Sequence, residues 1–216
     1  NDKYVNFAYP SIGPNTNLKV GKQILENNLQ IPTAEQTASL LYSAYCDDSV
    51  KEEPEFKNIR EIMKSRWLWV FNRNLWTPQG VYVVPDLEAK GLTENINENE
   101  LEKILKGGEE INRVRFSKDS KVRFAPKDSY KLEYNSSDEL AENGFVIASY
   151  GKTGAEQLAE VSTKFPDKPY VYGLDINEGK KLVLRVSAVN DNDDGLRLDG
   201  DGWGDDCESL AFGVLK

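Results

Sequence analysis

The sequence predicts an α+β fold: a mostly antiparallel or mixed sheet built from consecutive hairpins, with three or four flanking helices. Two observations carry this. Short strand-like runs follow one another through Asn, Gly and Pro turns, and helix-period segments fall between them without regular strand–helix alternation. A third sets the scale: 216 residues suit one domain over 1–216, softly divided near Gly107-Gly108 into a helix-rich N-terminal part and a β-rich C-terminal part.

Residues 1–30, rich in Asn, Gly and Pro, read as an arm attached through Tyr4, Phe7 and Tyr9, with a short helix near Val20–Asn27. Ile31–Cys46 is a helix, because Thr33 and Gln36 form a capping box and Ala34, Ala38, Leu41 and Tyr45 share one face. Pro54–Lys64 is a second, with proline in its first turn and Phe56, Ile59, Ile62 and Met63 inward. Trp67–Phe71 is apolar on both faces and reads as a central strand, returning after Thr77-Pro78-Gln79-Gly80 as Val81–Val84. Asn72, Arg73 and Asn74 interrupt the apolar run and mark a candidate site at the strand end. A short helix within Thr93–Lys106 puts Leu101, Ile104 and Leu105 inward.

Arg113–Phe124 carries Val-Arg-Phe twice and reads as a hairpin pairing Phe116 with Val122 and Val114 with Phe124. That register sets Arg115 opposite Arg123, a repulsion that calls for a neutralising partner. Glu133, on an expected strand Tyr130–Tyr134, is one; a bound anion is the other. Ser137–Glu142 forms one helical turn. Phe145–Tyr150 reads as a strand leading through Gly151-Lys152-Thr153-Gly154 into a helix Ala155–Lys164, with Thr153 as N-cap. Lys152 and Thr153 are therefore anion-binding candidates beside Arg115 and Arg123. Tyr170–Ile176 and Lys181–Val189 form a hairpin across Asn177-Glu178-Gly179-Lys180, and Leu210–Leu215 is the last strand.

Composition excludes several chemistries. The chain has no histidine, which removes Ser-His and Cys-His catalysis and imidazole ligation; two cysteines alone exclude a Cys/His zinc site. Neither haem nor a nucleotide motif is expected, since Gly144 stands too early for a Walker phosphate loop. A net charge of −9 disfavours non-specific nucleic-acid binding, and no apolar run reaches the ~20 residues of a membrane span. Cys46 and Cys207 either pair or stay free thiols. The chain opens at Asn1 without an initiator Met, as a trimmed or processed chain would, so a secreted origin stands beside a cytoplasmic one.

The densest feature is Asn190–Asp206, which holds seven aspartates punctuated by glycine. Asn190, Asn192 and Asp194 alternate ahead of Gly195, and Asp201 stands where the closing acid of a twelve-residue calcium loop would be; Asp199 adds an oxygen donor. Position one is Asn, however, position eight is Arg197, and the flanks read as strands rather than helices, so a solvated acidic turn is the competing reading. Trp203, between Gly202 and Gly204, is a candidate ligand contact. The resulting expectation is a soluble binding or interaction module, with calcium or another divalent cation in the 190–206 loop and an unidentified protein or small ligand as partner. The alternatives are a histidine-independent hydrolase or transferase using carboxylates such as Asp199 and Asp201, and a structural scaffold.

Overall fold

A computed structural model describes residues 5–191 and 194–216. In chain order the elements are α1 (Asn17–Glu26), α2 (Ala34–Tyr45), α3 (Pro54–Ser65), β1 (Leu68–Thr77), β2 (Gly80–Pro85), α4 (Glu98–Leu105), β3 (Glu109–Ile111), β4 (Val114–Phe116), β5 (Arg123–Pro126), α5 (Ser137–Glu142), α6 (Gly144–Ser162), β6 (Tyr170–Tyr172), β7 (Val183–Asn190) and β8 (Arg197–Gly202). The strands make one mixed sheet in the order β3-β4-β5-β2-β1-β7-β8-β6, antiparallel throughout except for the parallel β6–β8 pair. The α+β class is as the sequence predicts, and strands from both sides of Gly107-Gly108 enter the same sheet.

β1 lies mid-sheet and is buried along its whole length. Leu68, Val70 and Trp76 face the main core, where α2 and α6 supply Ala38, Leu41, Phe145 and Leu158. Trp69 and Phe71 face a second cluster under α1, and Leu75 a third under α4. A strand covered on both faces must be apolar on both, which is why the WLWVF run reads as it does. The capping box of α2 forms: Thr33 Oγ1 accepts from Gln36 N at 3.2 Å, and Thr33 N donates to Gln36 Oε1 at 2.9 Å. α3 and α5 also fall where expected.

Several expectations are corrected. Asn72, Arg73 and Asn74 lie inside β1, not at its end; Asn74 Nδ2 donates to Ser187 Oγ at 2.8 Å and to Gly200 O at 3.0 Å. Ile104 is exposed while Leu101 and Leu105 are buried. Phe145–Tyr150 is the first part of α6, not a strand. A short apolar run has no period of its own, and here Asn143 caps a helix, its Oδ1 accepting from Phe145 N at 3.1 Å and Val146 N at 3.3 Å. α6 kinks at Gly151 (φ +70°), where a Cβ would stand 2.8 Å from Glu35 Oε1, so Thr153 lies within the helix and is no N-cap. Residues 130–134 have no ladder beyond a bridge from Tyr134 to Tyr170.

The C-terminal third is threaded differently from a chain of hairpins. β6 pairs with β8, not with β7, which is clamped between β1 and β8. Leu210–Val214 makes isolated bridges to Leu68, Ile12, Phe7 and Gln30, tying down the N-terminal arm. Of the expected attachment points Phe7 packs on the core, Tyr9 is exposed, and Tyr4 lies outside the described residues. Cys46 and Cys207 are free thiols.

Candidate functional site

The acidic stretch forms no loop of twelve. β7 ends at Asn190, a turn follows at Asp194-Gly195, and β8 starts at Arg197, opposite Asn190. Strand alternation then sorts the side chains of β8. Leu198 is buried in the core, and at Gly200 a Cβ would lie 2.2 Å from Phe145 Cζ, so only glycine fits there. Asp199 and Asp201 alternate with these positions and line an open cleft of about 300 Å³ with Trp67, Trp203, Asp205 and Asp206. Trp69 closes its floor, fixed by Nε1 donating to Asn15 O at 2.9 Å.

The two carboxyls are not equivalent. Burial, then hydrogen-bond contact with Asp201, pushes Asp199 up to about 8, against the pull of the backbone N–H groups of Asp201 and Gly202. The Asp201 N–H donates to Asp199 Oδ1 at 2.7 Å. At neutral pH Asp199 therefore keeps its proton and can donate a hydrogen bond beside the Asp201 side chain.

Trp203 is 67% exposed, the most exposed of the large hydrophobic side chains among the described residues. It is not a free flap: the Arg185 guanidinium carbon stands 3.5 Å from its ring centroid. That stacking occupies one ring face and leaves the other to solvent. Burial lowers the Arg185 pKa and the Asp201 charge opposes the shift. Trp67 lines the cleft, and Arg185 backs it through Trp203. Arg185 carries no sequence signal of its own, because it reads as an ordinary strand residue.

The other predicted site residues are not assembled. Asn190 is buried and Asp194 is exposed in its turn, while Asn192 lies outside the described residues. Among the described residues no three Asp, Glu or Cys side chains converge to hold a metal ion. The β4–β5 register pairs Arg115 with Phe124 and Phe116 with Arg123, one residue from the expected pairing, so the two arginines do not face each other. Arg115 makes a forked pair with Glu102 at 2.6 and 3.1 Å; Arg123 bonds Glu35 at 2.5 Å and the carbonyls of Ala148 and Ser149. Glu133 instead pairs with Lys131 at 3.4 Å. Lys152 lies 2.5 Å from Glu142 and 3.7 Å from Glu156. Each predicted anion-binding cation thus already has a carboxylate.

No helix among the described residues is long and apolar enough to cross a membrane. No family profile and no curated protein sequence matches the chain. A solved structure concerning the accommodation of massive sequence variation in Nanoarchaeota by the C-type lectin fold is similar over 100% of this chain and 99% of that one, with 14% identity and a TM-score of 0.52. What the likeness shows is the fold, a C-type-lectin-like α+β scaffold.

Proposed function

We infer that the chain is a binding module whose contact surface is the β8 cleft, and that its ligand offers a cationic or hydrogen-bond-donating group to Asp199 and Asp201 and a flat face to Trp203. One observation carries the reading: a half-desolvated carboxyl pair beside a stacked, exposed indole in an open cleft. Trp and Arg recur in binding surfaces because they give large, rigid contact area at low entropic cost. The scaffold suits this use. The similar solved structure is described as a fold that accommodates massive sequence variation. In β8 the inward Leu198 and Gly200 are constrained by packing, while Asp199, Asp201 and, just after the strand, Trp203 line the cleft.

A divalent cation such as calcium is the second reading, favoured by the same oxygen pair; it requires both carboxyls to ionise and Asp205 or Asp206 to swing in. A carboxylate hydrolase would rest on this pair as well, and substrate turnover would mark it. The experiment follows Trp203 fluorescence while guanidinium, tetramethylammonium and calcium are added separately. Saturable change with an organic cation, lost in Trp203→Ala and Asp199→Asn, supports the module. Change with calcium alone, accompanied by proton release, replaces the organic ligand with the metal ion. No response to any of the three overturns the cation-binding reading. Trp203→Ala should leave the melting temperature within about 1 °C of wild type, since an exposed side chain contributes little to folding.

A further inference from the structure

A second cavity, of about 520 Å³, lies between the start of α2, the loop after β2 and the β4–β5 turn, and shares no lining residue with the β8 cleft. One wall is Arg73, from the middle of β1 and only 6% exposed. Its Nε donates to Gly91 O at 2.7 Å and its Nη2 to the Glu94 carbonyl; Nη1 has no acceptor among the described residues. The other charged side chains of the wall are answered. Arg123 bonds Glu35 at 2.5 Å, Lys90 lies 3.1 Å from Glu88, and Lys121 lies 3.8 Å from Asp119. Asp86 accepts from Lys90 N at 2.8 Å and Gly91 N at 2.7 Å. Among the described residues Arg73 is a buried cation with no salt bridge, its hydrogen bonds going to two backbone carbonyls.

A buried charge is retained at a cost unless something of opposite sign reaches it, and a guanidinium edge fits the paired oxygens of a carboxylate or phosphate. We propose that this cavity binds a small molecule bearing such an oxyanion, received by the unbonded nitrogen of Arg73. Val84, Pro85 and Leu87 supply an apolar side for its carbon skeleton, and the volume is that of a small-ligand site. The site is independent of the β8 cleft and stands or falls without it.

The test is nuclear magnetic resonance on the full chain, reading the Arg73 Nε–Hε signal and the amides of residues 86–90 and 119–123. Inorganic phosphate and malonate are titrated separately, with chloride at matched ionic strength as control. The expected result is a saturable shift with phosphate or malonate and none with chloride; whichever acts names the acid. Arg73→Lys keeps the charge and loses the fork, and should weaken the effect roughly tenfold. Because a buried substitution can unfold the chain, Leu87→Trp at the exposed rim gives a second variant, which should weaken the shift by narrowing the cavity mouth. Absence of saturable shifts with both oxyanions overturns the proposal, as does a saturable shift that survives Leu87→Trp unchanged.

Discussion

Asp199 makes a testable statement about stability and pH. In the folded chain its carboxyl is pushed up to about 8, while an unfolded aspartate titrates near 3.9. Between those values the folded state holds a proton that the unfolded state has lost. Stability from this group is therefore full below about pH 4, falls as pH rises, and is gone above about pH 8. The slope is at most about 1.4 kcal/mol per pH unit, so from pH 5.5 to 7.5 the loss is about 2.5 kcal/mol, or roughly 5–10 °C in melting temperature for a chain of this size. No histidine titrates in this window, and the carboxylates whose pKa values are lowered, such as Glu102 and Asp119, act below it. Differential scanning calorimetry at half-unit pH steps measures the slope. In Asp199→Asn the fall should vanish. A wild-type curve flat from pH 5.5 to 7.5, or a slope that persists in the variant, refutes the buried carboxyl pair.

Other perturbations test the framework. Gly200→Ala places a methyl 2.2 Å from the Phe145 ring and should cost roughly 1–3 kcal/mol by denaturant unfolding, with the Phe145 signals displaced. Glu35→Ala strands the buried Arg123; since Glu35 is itself partly exposed, the loss should be about 1–3 kcal/mol, and it should shrink when Arg123→Met is added in a double-mutant cycle. Tyr45→Phe removes a hydroxyl that donates to the buried Asp191 carboxylate, which should cost about 1–3 kcal/mol by chemical denaturation.

Local signals were legible where neighbours in sequence settle the outcome. The Thr33–Gln36 box, the proline start of α3 and the two-faced apolar β1 follow from contacts within a few residues or from burial on both sides. The 145–150 run reads as a strand because five apolar residues and one serine suit a buried helix as well as a buried strand, and the deciding group, Asn143, lies outside the run. The β4–β5 register slipped by one because the Arg side chains answer to Glu102 and Glu35, both remote in sequence. At the candidate site, the acid-rich chemistry, the Asp199–Asp201 pair and Trp203 were visible. Arg185 was not, since only the β7–β8 pairing brings it beside Trp203.

The sequence by itself determined an α+β chain without imidazole chemistry, and an acid- and glycine-rich C-terminal segment carrying an unusual tryptophan. Tertiary structure decided what that segment is. Clamped between β7 and β6, residues 197–202 became a strand, and a strand sends alternate side chains to opposite faces. Leu198 therefore went to the core, and Asp199 went to a partly dry cleft that keeps its proton at neutral pH. Seven neighbouring aspartates define a charge density; only long-range pairing determines which of them are removed from water.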